Sequence, residues 1–98
     1  MTREVVIAPR AKADIAGIWR YSVLEHGREA ADAYIRDLDQ TMQMVSEFPE
    51  IGVDSPGIRK GYRRIGSGSH LIYYIAGESD IHVVRVLHGR QDARAQLR

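Results

Sequence analysis

The sequence predicts an α+β domain in the order β-α-α-β-β-β, with an antiparallel helical hairpin packed on one face of a small, mainly antiparallel sheet. Three observations predict it. Apolar residues recur at spacings of three and four across two successive segments of the first half, the period of helices that bury one face. The second half changes to runs of β-branched and aromatic residues, "YRRIG", "HLIYYIAG" and "DIHVVRVLHG", which have strand length and strand composition. The links between those runs, "SGS" and "GES", are of hairpin size, so the runs should meander antiparallel.

Each element follows from local chemistry. "REVVIAP" reads as a short strand ended by Pro9, and proline suits the first helical turn, where its missing N–H would have had no partner. Ile15, Ile18, Trp19 and Val23 then share one face of a helix over roughly Pro9 to Glu25. His26-Gly27 ends it, because glycine tolerates the left-handed backbone of a helix C-terminus. Ala31, Tyr34, Ile35, Leu38, Met42 and Val45 form the stripe of a second helix that stops at Phe48-Pro49. So short a link obliges the two helices to pack as a hairpin. "EIGVDSPGIRKG", with its glycines and Pro56, is the connector to the sheet. One domain over 1–98 is expected, with about 90–98 a short polar tail.

Composition excludes several classes. With 98 residues, 44% apolar and 28% charged, the chain is neither disordered nor membrane-spanning and buries roughly 60–65% of its extended surface. It has no cysteine, hence no disulfide framework or thiolate metal site. The start "MTREVVIAPR" lacks the apolar core of a signal peptide, so a cytoplasmic location is expected. The net charge of +1 is uneven: residues 10–50 carry five basic against eight acidic residues, whereas 55–77 carry Arg59, Lys60, Arg63 and Arg64 with no acid. Residues 85–98 add four arginines against Asp92. Such a basic half is either a solvated face or a surface for an acidic partner or a phosphate backbone.

Alternation in the last strand sets Ile81, Val83, Arg85 and Leu87 against His82, Val84, Val86 and His88. Both sets are largely apolar, so the face away from the helices is expected to be covered by another chain. His82 and His88 would share a face but stand roughly 20 Å apart at about 3.3 Å per residue, too far for one zinc, and His26 and His70 read as surface or hydrogen-bonding residues. Ser67 and Ser69 lie in "GSGS", which precedes a strand and lacks Gly-Lys-Ser/Thr, so it reads as a hairpin turn and not a phosphate loop. No metal and no cofactor are expected. What remains is Arg63, Arg64, Arg85, His88 and Arg90. Metal-free RNA cleavage needs a base, an acid and cations for the phosphorane, and this set supplies part of that; the other reading of Arg85 is an ion pair with an acid of the helical hairpin.

The order and spacing of "APRAKADIAGIWRYSVLEHG", "FPEIG", "GYRRIGSGSHLIYYI" and "IHVVRVLHGRQD" resemble the ParE branch of the RelE/ParE toxin superfamily over nearly the full length. The resemblance implies a RelE/ParE-like fold and the toxic half of a type II toxin–antitoxin module. It implies inhibition of DNA gyrase by protein–protein contact, no catalytic residues, and neutralisation by a ParD-like antitoxin of ribbon-helix-helix type. DNA would be reached only through gyrase or the antitoxin, and no membrane is involved. Ile18, Trp19, Tyr34 and Leu38 are then expected to border the antitoxin groove, and Arg63, Arg64, Arg85, His88 and Arg90 to form a target-facing or antitoxin-covered basic surface. The rival is the RelE branch, a ribosome-dependent mRNA endoribonuclease, whose members often carry a tyrosine or histidine near the C-terminus. Here "GRQDARAQLR" has no tyrosine, histidine or lysine. A third reading, a nucleic-acid-binding module, would lay aromatics across one sheet face, whereas Tyr73 and Tyr74 are adjacent and face opposite ways.

Overall fold

A computed structural model describes residues 2–55 and 57–97; Pro56, read above as part of the connector, and Arg98, counted among the basic residues of the tail, lie outside them. Strand β1 (Glu4–Ile7) leads into α1 (Pro9–His26), and α2 (Arg28–Glu47) follows after Gly27 alone. Pro9 opens α1 as expected, with no side-chain cap before it. Gly27 serves both helices: its N–H donates to the Val23 carbonyl and its carbonyl accepts from Ala31. It does so at φ 89°, a left-handed conformation that costs a residue with a side chain about 1–2 kcal/mol. The hairpin therefore depends on glycine at its apex.

Strands β2 (Val53–Asp54), β3 (Tyr62–Ser67), β4 (His70–Ala76) and β5 (Asp80–His88) precede a short helix α3 (Ala93–Gln96). The sheet order is β1-β5-β4-β3-β2. β3, β4 and β5 form the antiparallel meander, and β1 runs parallel to β5 from Glu4 opposite Asp80 to Ile7 opposite Val83. A parallel pair needs a crossover, and the helical hairpin supplies it. The main core is the α2 stripe Leu38, Met42 and Val45 against Ile72 and Tyr74 of β4 and Ile81, Val83 and Val86 of β5. Each such aliphatic side chain contributes about 1.5–3 kcal/mol through burial. Tyr74 is fully buried, and its hydroxyl donates to the Pro49 carbonyl at 2.8 Å while accepting from Gly52 N–H at 2.9 Å. That pair of bonds fastens the connector after α2 to the middle of the sheet.

Two features revise the reading of the sheet. Tyr73 pairs with Arg85 but Tyr74 pairs with Val83, so Val84 is an extra residue in β5, a β-bulge. Alternation reverses there: Ile81, Val83 and Val86 face the hairpin, whereas Val84 and Leu87 face away. His82 and His88, expected on one face, therefore lie on opposite faces. The second revision concerns the tail. Residues 93–97 do not run free: Asp92 caps α3 by accepting from Arg94 N–H at 3.1 Å, and Leu97 is buried with Tyr62, Tyr73 and Leu87. The face away from the helices is thus partly covered by the chain's own tail and by Ile58 of the connector, not left wholly to a partner. Tyr73 and Tyr74 do fall in separate clusters, as their adjacency requires. No helix among the described residues is long and apolar enough to cross a membrane.

Candidate functional site

The polar residues singled out from the sequence separate into three places. The first surrounds Arg85. β1 stops opposite Val83, so the β5 backbone beyond it has a free edge next to the first turns of α1. Asp14, one turn beyond the buried Ala11 and four residues before Ile18, points from α1 at that edge. Its carboxylate accepts from Arg85 Nε at 2.7 Å, from Arg85 Nη2 at 2.8 Å and from Val86 N–H at 3.0 Å. Arg85 Nη1 donates to the Gln96 carbonyl at 3.2 Å. Arg85 is only 8% exposed, and its bonds to Asp14 hold its pKa above the ordinary arginine value. Arg85 is therefore not part of an exposed basic surface: it joins α1, β5 and α3. Asp14, which the sequence reading did not name, is a charged residue inside an apolar helical stripe, and that position is the signal of a buried pair.

The second place lies on the hairpin side at the far end of β4 and β5, where the register sets His70 opposite His88. The two rings meet edge to face, with centroids 5.3 Å apart. Tyr34 of α2 reaches this pair: its hydroxyl is 2.6 Å from His70 Nδ1 and accepts from Ser69 N–H at 2.9 Å. The "GSGS" segment is the hairpin turn expected for it, with Gly68 at φ 57° and a would-be Cβ 2.6 Å from the Tyr34 hydroxyl. Only glycine permits both the turn and the tyrosine. His88 Nδ1 accepts from Arg90 N–H at 3.1 Å, which leaves the proton of the neutral ring on Nε2. Burial first, then the neighbouring His88, holds the pKa of His70 below the usual imidazole value. A cavity of about 330 Å³ opens beside these rings, lined also by Ile18, Tyr21, Ser22 and His26 of α1.

The third place is a cleft on the opposite face. Arg64 and Tyr73, cross-strand partners on β3 and β4, line it with Ser55 and, from the tail, Asp92 and Arg94. Arg64 Nη1 donates to Ser55 Oγ at 3.0 Å. Burial pushes the Tyr73 phenol up, partly countered by Arg64, so it stays un-ionised at neutral pH. Arg63, adjacent in sequence, projects to the other face; it donates to the Gly52 carbonyl at 2.8 Å and sits 3.5 Å from Asp54. Arg63 and Arg64 therefore do not form one surface. Arg90 is exposed just beyond β5.

The four helix positions also divide. Leu38 is 0% exposed and belongs to the core, so it borders no groove. Ile18 and Tyr34 are half-buried and line the histidine cavity. Trp19 lies at the seam of the hairpin, its indole N–H donating to Asp32 at 2.8 Å with the Arg28 guanidinium 5.9 Å from the ring centroid. Among the described residues, no group of three or more His, Cys, Asp or Glu side chains is placed to hold a metal.

Comparison with known proteins bears on what this arrangement serves. The family model described as ParE toxin of type II toxin-antitoxin system, parDE, matches residues 5–93. The chain belongs to the ParE toxin family. Among curated ParE relatives, Toxin ParE1 of Caulobacter vibrioides is 43% identical over 91 residues, 93% of this chain and 94% of the relative. Toxin ParE1 of Mycobacterium tuberculosis is 36% identical over 98 residues, 99% of this chain and 100% of the relative. The fold is shared with a chain of the chromosomal ParDE TA system from P. aeruginosa, at a TM-score of 0.77 and 17% identity over 89% of this chain and 96% of that one. A ParE toxin of a type II module is thus an α+β domain with an open, mainly antiparallel sheet, as its residues predict.

Proposed function

We propose that this ParE-family toxin arrests growth in the cytoplasm by inhibiting DNA gyrase through protein–protein contact, without catalytic turnover, and that a ParD-like ribbon-helix-helix antitoxin neutralises it. Family membership over residues 5–93 carries the reading. The geometry supports a non-catalytic mode, because the central cation that RNA cleavage would use, Arg85, is buried against Asp14. Arg63 and Arg64, adjacent in β3, project to opposite faces of the sheet and have different partners. Arg64 and Arg90 are the target-facing candidates. Ile18 and Tyr34, with Trp19 at the hairpin seam, are the antitoxin-facing ones.

Two reactions run side by side test this: gyrase supercoiling of relaxed plasmid, and in vitro translation, each with purified toxin and with or without antitoxin. Loss of supercoiling or accumulation of cleaved DNA, with translation intact and antitoxin restoring activity, is the expected result. Cleaved messenger with unaffected gyrase would make the chain a ribosome-dependent nuclease instead. Replacing both Arg64 and Arg90 by glutamate is expected to abolish growth arrest while the far-UV spectrum stays unchanged; full toxicity of that variant removes the basic surface from the mechanism.

A further inference from the structure

The cavity beside His70 and His88 has a composition that core packing does not explain. Its walls come from every neighbouring element: Tyr21, Ser22 and His26 from α1, Tyr34 from α2, Ser69 from the turn, and the two paired imidazoles from β4 and β5. Three of the chain's four histidines are gathered there. Among the described residues that line it there is no carboxylate and no lysine or arginine; the following backbone contributes Arg90 N–H, which donates to His88 Nδ1. Neighbouring imidazoles with no acid repel when protonated. Tyr21, which lines the cavity, is 59% exposed, and Leu24, one turn further along the same side of α1, is 87% exposed.

We infer that this cavity receives a carboxylate side chain of the antitoxin, held by His70 and His88, while apolar residues flanking that carboxylate pack on Tyr21 and Leu24. The inference rests on the antitoxin reading given above and names the chemistry of the contact. Charge complementarity selects the occupant. A lysine or arginine would meet three imidazoles and no counter-charge, and an aliphatic side chain would leave the His88 Nε2–H without an acceptor. A metal ion fits poorly, because His88 Nδ1 already accepts the Arg90 amide and its Nε2 carries the proton. A carboxylate accepts from both rings and supplies the missing negative charge. An anchor of this kind, polar at its tip and ringed by apolar contacts that exclude water, is the usual form of an interface hot spot.

The contact couples to protons. A carboxylate at the pair favours the charged imidazole and raises its pKa, whereas in the free toxin burial and His88 hold His70 low. A complex in which the carboxylate holds the pair in its charged form therefore takes up a proton. Affinity is greatest at low pH and declines as pH rises through the window between the free and bound values, by up to about tenfold per pH unit for one proton.

The test is isothermal titration of the full-length toxin with the ParD-like antitoxin from the same genome, near neutral pH in two buffers of different ionisation enthalpy. It is combined with NMR titration of the histidine rings of the wild-type toxin, free and bound. Expected are uptake of about one proton and an upward shift of the His70 titration in the complex. His70→Gln and His88→Gln, which keep an acceptor at the position, are expected to abolish the uptake and weaken binding about tenfold in mild acid but little in mild base. Tight binding with no proton uptake and unmoved histidine titrations would overturn the inference and leave the antitoxin reading standing. No binding at any pH would remove that reading and the inference with it.

Discussion

Arg85 and His88 are three residues apart in one strand, yet the structure puts them to opposite uses. Arg85 meets the Asp14 carboxylate from α1 and the carbonyl of Gln96, so each guanidinium nitrogen has an acceptor inside the fold. His88 stands beside a second imidazole with no acid, at the mouth of a cavity. The bulge at Val84 fixes the faces of both: it leaves Arg85 on the side away from the main core and turns His88 toward the helices. A polar group whose partners are all internal stabilises the fold, whereas one left short of a partner beside open space is available to a ligand.

The largest expected effect breaks the first of these clusters. Asp14→Ala leaves a guanidinium with a side chain only 9% exposed without its counter-ion and the Val86 amide without an acceptor, and is expected to cost about 3–5 kcal/mol in urea unfolding. Replacing both partners, Asp14→Leu with Arg85→Met, is expected to recover much of that loss, since two apolar groups leave no buried charge. A double variant as unstable as the single one would show that the Val86 amide, and not the ion pair, is the sensitive element. Next in size is Gly68→Ala, at about 2 kcal/mol or more, because the left-handed turn residue would also push Tyr34 away from Ser69 and His70; thermal unfolding measures it. Tyr34→Phe keeps the ring but removes the hydroxyl from Ser69 N–H and His70, and about 1 kcal/mol of destabilisation is expected in the same assay.

The smallest effect is one of pH. His70 has its pKa depressed in the folded chain relative to the ordinary 6.5. The unfolded chain therefore binds more protons in the window just below that value. The contribution of the neutral ring is fully present above the unfolded value and is lost as pH falls toward the folded one. Urea midpoints are expected to fall slightly between about pH 7.5 and pH 5.5, and His70→Gln is expected to flatten that slope. An unchanged slope in the variant would assign the acid sensitivity to other groups.

Much of this architecture was legible in the residues. Pro9 and Gly27 marked the helix limits because each has a backbone restriction that only those positions use, and the α2 stripe from Ala31 to Val45 gave its buried face directly. The Arg85 pair was legible as a possibility, since a cation in mid-strand needs an acid, but which acid depended on where β1 stops. Strict alternation hid the bulge: nothing in "HVVRV" distinguishes an extra residue from a regular strand, so the faces of Arg85, Leu87 and His88 could be set only by pairing with β4. The tail misled for a related reason. "QDARAQLR" is polar on average, and its single large apolar residue, Leu97, has a place to bury only once Tyr62, Tyr73 and Leu87 are assembled. His70 and His88 were each visible, but their adjacency is a property of register.

The pairing of β1 with β5 also constrains the order in which the molecule can be made. The helical hairpin is local and can form as soon as residues through Glu47 exist, but β1 joins the sheet only against a strand some 76 residues later, Glu4 beside Asp80. Contacts of such long range are slow to form and come late in folding. Since β1 must wait for its partner strand, the sheet closes only after residues through His88 have been made. A nascent chain that has not yet reached β5 therefore presents the hairpin without the closed sheet, and the surface built across both comes into being only once that strand is in place.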